Sequence, residues 1–103
     1  MRFSKFRNKR TMLDGIAFDS KKEAARYQEL KLLERAGEIS ELKLQPTFSI
    51  EVGGHRICKY RADFAYKQGG ADVVEDVKGI KTPTYRLKAK LLKAVHGITI
   101  LET

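Results

Sequence analysis

Tyr60–Gly79 reads YRADFAYKQGGADVVEDVKG, and the rest of the chain can be organised around it. Gln68-Gly69-Gly70 marks a turn between two runs of alternating residues, so the stretch is expected to form two adjacent strands. The upstream strand spans Arg56–Tyr66. It places Ile57, Lys59, Arg61 and Asp63 on one face and Cys58, Tyr60, Ala62, Phe64 and Tyr66 on the other. The downstream strand spans Ala71–Lys78, with Asp76 and Lys78 on one face and Glu75 and Val77 on the opposite one. Strands disfavour Asp, so an Asp in mid-strand asks for a chemical reason. Two neighbouring strands of this kind can bring Asp63, Asp76 and Lys78 to one point on a sheet.

Moving upstream, Gly53-Gly54 is a hairpin signal, preceded by a strand over Leu42–Val52 in which Pro46 marks an edge or an irregularity. Before that, Asp19 or Ser20 can cap a helix running to about Ala36, rich in Ala, Leu, Glu and Lys and closed by Gly37. Downstream, Thr82 caps and Pro83 opens a second helix that runs to about His96. Gly97 releases that helix into a short apolar strand, Ile98–Leu101. The order is α-β-β-β-α-β, which predicts an α/β domain over 18–103 with a mixed four-stranded sheet flanked by helices. Residues 1–17 read as a basic N-terminal arm, with Arg2, Lys5, Arg7, Lys9 and Arg10 among the first ten positions.

Composition narrows the partners. The chain of 103 residues suffices for one domain. Its 21 Lys and Arg against 13 Asp and Glu give a net charge of +8, which favours a polyanionic partner, with nucleic acid ahead of an acidic membrane surface. No apolar run approaches bilayer length, and MRFSKFRNKR lacks the apolar stretch of a signal peptide. One cysteine, Cys58, excludes an internal disulfide framework and fits a reducing, cytoplasmic setting. With His55 and His96 as the only histidines, a zinc site is not expected, and a bound metal would be a hard cation on oxygen ligands.

Paired acids beside a lysine suit phosphodiester hydrolysis. That reaction benefits from a divalent cation that neutralises developing charge and acidifies a water. Magnesium needs only one or two carboxylates, and a nearby Lys can orient the water or stabilise charge on the phosphate. On this expectation Asp63 and Asp76 hold Mg2+, for which Mn2+ could substitute, and Lys78 assists.

Arg61-Ala62-Asp63 followed by Asp76-Val77-Lys78-Gly79 resembles the paired motifs of the PD-(D/E)XK nuclease superfamily. With FDSKKEAARY, LQP, YRADFAY and VVEDVKG, the chain is most similar to small phage-encoded members related to Holliday junction resolvases. The resemblance covers roughly residues 19–102 and departs at Ala62, where the motif has its Pro. It implies a restriction-endonuclease-like core, a DNA endonuclease acting on branched DNA in phage recombination or replication, and a homodimer. It also implies that the backbone carbonyl of Val77 completes the metal site and that Glu23 on the first helix contributes to it.

Several residues keep two readings. Glu23 also closes an S-x-x-E capping box with Ser20. Glu75 is first a surface residue and second an outer metal contact, and Gln45 is either structural or near the site. On the second helix, Arg86, Lys90 and Lys93 form a basic stripe opposite an apolar side of Leu87, Leu91, Ala94 and Val95. Between Lys78 and His96 there is no acid, so this helix is expected to contact phosphate, joined by Arg7, Lys9, Arg10 and Lys81. Tyr85 and Lys88 are further DNA-contact candidates able to reach the catalytic face. His96 is expected at the helix C-terminus, and Cys58 in the core. The alternatives to the junction endonuclease are a non-catalytic DNA-binding module on the same fold, an RNA- or ribosome-associated basic protein, and a nuclease for nicks, flaps or linear ends.

Overall fold

A computed structural model describes residues 10–103. A short hairpin, β1 (Thr11–Leu13) and β2 (Ile16–Phe18), comes first. Its turn is Asp14-Gly15, both at positive φ (52° and 76°), the backbone that a two-residue hairpin needs. Of the basic arm expected over 1–17, residues 11–17 belong instead to this hairpin, and residues 1–9 lie outside the described residues. Leu13 and Ile16 pack on the core, Phe18 lies inside it, and Tyr27 donates its hydroxyl hydrogen to Asp14. The Asp-Gly pair is the signal that could have found this hairpin.

Helix α1 (Lys21–Arg35) starts as expected, with the Ser20 hydroxyl accepting the Glu23 N–H at 3.1 Å. It buries Glu23, Ala24, Tyr27 and Leu30, a stripe at helical spacing. The strands that follow are β3 (Ser40–Leu44), β4 (Thr47–Val52), β5 (His55–Arg61), β6 (Phe64–Gln68) and β7 (Ala71–Asp76). Helix α2 (Pro83–His96) is capped by Thr82 and ended by Gly97 at φ 72°, and β8 (Ile100–Glu102) closes the described chain.

A mixed four-stranded sheet forms in the order β3-β6-β7-β8, antiparallel except for the parallel β7–β8 pair. The four strands of this sheet and the two helices run α1, β3, β6, β7, α2, β8, and the β1–β2 and β4–β5 hairpins are additions to the expected α-β-β-β-α-β order. Side-chain alternation divides the interior. Phe64, Tyr66 and Val73 pack with α1, whereas Ala65, Val74 and Ile100 pack with Tyr85 and Leu92 of α2. The two helices consequently cover opposite faces.

Two expected strands are each broken. Leu42–Val52 splits into β3 and β4 at Gln45-Pro46, and Arg56–Tyr66 splits into β5 and β6 at Ala62-Asp63. Gln45 takes φ 53°, and Pro46 has no N–H for a ladder. The two breaks face each other: the Gln45 N–H donates to the Asp63 carbonyl (2.9 Å) and the Ala62 N–H to the Pro46 carbonyl (3.0 Å). This corner turns β4 and β5 away as a separate hairpin lying on α2. It also corrects the expectation that Tyr60, Ala62, Phe64 and Tyr66 share one face. Tyr60 and Ala62 join the α2 core, while Phe64 and Tyr66 join the α1 core, because a bend resets the alternation.

The apolar side of α2 is rotated from its expected position. Tyr85 and Leu92 are its buried residues, and Leu87 is 59% exposed, with Ala94 and Val95 also exposed. His96 reaches the Ser49 carbonyl of β4 at 2.7 Å rather than its own helix end. Among the described residues no helix is long and apolar enough to cross a membrane.

Candidate active site

The corner sets the site. In the β6–β7 ladder the last pair is Phe64 with Glu75, and side chains take over at the next position. The Asp63 N–H donates to Asp76 Oδ1 at 2.7 Å, and the Val77 N–H donates to Asp63 Oδ2 at 2.8 Å. Each Asp therefore accepts a backbone hydrogen from the other strand, which fixes both carboxylates where the ladder ends. The β8 end pins the same point from the other side, with Thr103 N–H to the Asp76 carbonyl at 2.9 Å and Lys78 N–H to the Thr103 carbonyl at 3.2 Å.

Asp76 is 1% exposed, and its Oδ2 is buried without a hydrogen-bond partner. Lys78 Nζ is 3.8 Å from that oxygen, longer than a hydrogen bond. Burial raises the Asp76 carboxyl above the usual range, opposed by the Lys78 charge and the Asp63 N–H. Among the described residues one other buried side-chain atom lacks a partner, the Tyr60 hydroxyl, and nothing in the structure explains it.

Glu23 comes to the same place from α1. Its backbone N–H serves the Ser20 cap, while its carboxyl turns to Asp63. The side chain is 6% exposed. Burial, followed by the charge and hydrogen bond of Asp63 and the charge of Asp19, pushes its carboxyl up to about 7. Near neutral pH Glu23 is thus partly protonated and can donate to Asp63.

The structure joins Asp63 to Asp76 and to the Val77 backbone, sets Lys78 beside Asp76, and brings Glu23 against Asp63. Gln45, left open between structure and site, joins through its backbone bond to Asp63. The donors are carboxylate oxygens without thiolate or imidazole, a set suited to a hard cation. Among the described residues no group of three or more His, Cys, Asp or Glu is arranged to hold a metal as it stands. A larger cleft of about 720 Å3, lined by Phe48, Val74, His96 and Ile98, contains none of these acids.

Glu75, first read as a surface residue, is wholly buried on the α1 face. Arg26 donates to it from Nε (2.6 Å) and from a terminal guanidinium nitrogen (3.0 Å), Tyr66 from its hydroxyl (2.6 Å) and Thr103 from its hydroxyl (3.0 Å). Burial alone would raise its carboxyl, but these donors hold it below the ordinary value. Arg26 and its role went unnoticed because the partners lie 9 to 49 residues from Glu75 in sequence.

Arg7 and Lys9 lie outside the described residues, and Arg10 is exposed at their start. Arg86, Lys90 and Lys93 are exposed on α2, with Lys93 bonded to the Thr99 hydroxyl at 2.8 Å. Lys88 is half-buried. Lys81 is exposed and pairs with Glu102 at 2.7 Å. Tyr85, expected as a DNA contact, is buried and donates its hydroxyl hydrogen to Glu102 at 2.7 Å, which turns it inward. Arg61 was not singled out, yet it stands exposed two residues before Asp63 and pairs loosely with Asp19 at 3.8 Å.

The model of the family described as "Protein of unknown function (DUF1064)" matches residues 3–97. No curated protein matches the chain.

Proposed function

The chain belongs to the DUF1064 family, whose description assigns no activity, and from the geometry of its own residues we propose that it is a divalent-metal-dependent DNA endonuclease with a PD-(D/E)XK-type core. The observation that carries this reading is the partnerless, buried Asp76 Oδ2 beside Asp63 and Lys78. An unpaired buried carboxylate oxygen is costly, and it is retained where it has something to bind. The run α1, β3, β6, β7, α2, β8, with the acids at the end of two adjacent strands, supports the superfamily resemblance.

Glu23, Asp63, Asp76 and the Val77 carbonyl are the residues proposed to hold Mg2+ or Mn2+. The fit rests on the all-oxygen donor set and on the orphaned oxygen. The ion, when bound, would neutralise phosphate charge and make a coordinated water more acidic. The chain's own contributions are positional and electrostatic. Asp63 and Asp76 are locked by reciprocal backbone hydrogen bonds, so they need not reorganise to present negative charge. Glu23 holds a proton near pH 7 and must release it to act as a ligand. Lys78 offers a cation to the phosphate or orients water through its ammonium hydrogens. Arg86, Lys90 and Lys93 grip the DNA backbone without reading bases. Branched DNA and a homodimer remain part of the proposal through the resolvase resemblance.

A DNA-binding module without catalysis is the second reading, favoured by the lack, among the described residues, of a ready-made three-ligand cluster. The test is cleavage of a labelled four-way junction beside linear duplex, flap and supercoiled DNA. Each is incubated with Mg2+, Mn2+ or EDTA, using the wild type and Asp76→Ala. Metal-dependent cutting by the wild type alone supports the enzyme. Binding with no cutting under any condition transfers the case to the binding module.

A further inference from the structure

Lys78 is held by more than its neighbour in the D-x-K motif. Its Nζ sits 4.2 Å from the centroid of the Tyr85 ring, while the Asp76 oxygen it faces is 3.8 Å away. An aromatic face attracts an ammonium without accepting a conventional hydrogen bond. Lys78 is thereby steered toward Asp76 while its N–H groups stay available to a third partner, whether water or phosphate.

The ring that does this is itself fixed at several points. Its residue lies in the first turn of α2, where the Tyr85 N–H donates to the Thr82 hydroxyl at 3.1 Å. Its hydroxyl donates to Glu102 Oε2 at 2.7 Å, and Glu102 Oε1 is held by Lys81 at 2.7 Å. Its inner flank meets Tyr60, with ring centroids 6.2 Å apart. A carboxylate accepting the phenolic hydrogen also increases electron density in the ring, which strengthens its hold on a cation. Without the ring, the flexible four-carbon stem of Lys78 would be free to swing into a tight pair with Asp76 or out to solvent.

We infer that Tyr85 is a positioning residue for Lys78, with Glu102 and Lys81 as its anchor, and not a DNA contact. Its effect on cleavage rests on the nuclease reading, but its effect on Lys78 does not. Two measurements separate these. The first is NMR of the Lys78 side-chain methylenes in the metal-free protein. A ring 4.2 Å from Nζ shifts the terminal methylene protons upfield. The shift is expected to weaken in Tyr85→Phe and in Glu102→Ala, each of which loses the hydroxyl–carboxylate bond, and to vanish in Tyr85→Leu. A wild-type Lys78 without the upfield shift, or one that Tyr85→Leu leaves unchanged, overturns the inference whether or not the protein cuts DNA.

The second is metal-dependent cleavage. Tyr85→Leu is expected to lower kcat about ten-fold with KM and DNA affinity little changed, since an ammonium–ring contact is worth roughly a factor of ten. Tyr85→Phe, which keeps the ring, should lose no more than about three-fold. A raised KM at constant kcat would instead make Tyr85 a substrate contact and refute the assignment. Should Tyr85→Leu fail to fold, the Glu102→Ala spectrum decides alone: an unmoved Lys78 resonance contradicts the anchor. A wild type with the full upfield shift and no cleavage would defeat the nuclease reading and leave this one standing.

Discussion

Glu75 and Asp76 are neighbours on one strand, both buried, and they point to opposite faces of the sheet. Glu75 is surrounded by donors: Arg26 twice, Tyr66 and Thr103. Asp76 has one hydrogen bond to Oδ1, from the Asp63 N–H, and its Oδ2 faces Lys78 at a distance. The same chemical group is thus satisfied on the α1 face and left wanting on the α2 face. A carboxylate with its full complement of donors ties elements together. One left short retains the capacity to bind a cation.

The contrast breaks most decisively in activity. Asp76→Asn is expected to reduce metal-dependent cleavage about a thousand-fold, several kcal/mol of transition-state stabilisation. The same change removes a buried charge that Lys78 and the Asp63 N–H partly offset, so at pH 7 stability in urea unfolding should move by less than about 1 kcal/mol. A clear loss of stability would mean that Asp76 is structural like its neighbour. Glu75→Gln should do the reverse, costing about 3 kcal/mol because the Arg26 guanidinium loses its charged partner. If urea midpoints of Glu75→Gln and wild type coincide, the structural assignment fails.

Acidity sharpens the comparison further. Glu75 has a lowered carboxyl pKa, so its stabilisation is present above the unfolded value of 4.5 and disappears as pH falls through the folded value. Glu23 has the opposite sign. Its folded value of about 7 lies above the unfolded 4.5, so the stability it contributes is complete below 4.5 and is lost as pH climbs through 7. Glu23→Gln should therefore gain roughly 3 kcal/mol over wild type at pH 8 and nothing at pH 4. Parallel pH profiles for the two proteins would contradict the raised Glu23 carboxyl, which burial causes first and Asp63 second.

The smallest effects should come from the surface. Replacing Arg86, Lys90 or Lys93 singly with Gln should lower the salt dependence of DNA binding by about one unit of slope each, with melting temperature nearly unchanged. Equal slopes for variants and wild type would remove α2 from the DNA interface.

The elements legible in the sequence were those with local signals. Ser20 and Thr82 as caps, Pro83 at a helix start, and the Gly53-Gly54 and Gly69-Gly70 turns are all where the chain pattern puts them. Alternation also placed Asp76 and Glu75 on opposite faces. The corner at Gln45-Pro46 and Ala62-Asp63 was less legible: only Pro46 marks it locally, and its hydrogen bonds join residues distant in sequence. That corner matters to the site, because it ends the ladder where the Asp63 backbone and carboxylate turn to Asp76 and Val77. Glu75 was misread for a similar reason. A charged residue on a strand looks solvated until Arg26, Tyr66 and Thr103 are known to converge on it. Leu87 and Val95 of the apolar side of α2 face outward; helical spacing gives a face but not its orientation.

Calorimetric titration of the metal-free protein with Mn2+ tests the central claim most directly, with wild type, Asp76→Asn and Glu75→Gln compared at pH 8, where Glu23 is ionised. The expected result is saturable binding to wild type, its loss in Asp76→Asn and its retention in folded Glu75→Gln. No binding to wild type, or binding that survives Asp76→Asn, would contradict the assignment of Asp63 and Asp76 as a metal centre.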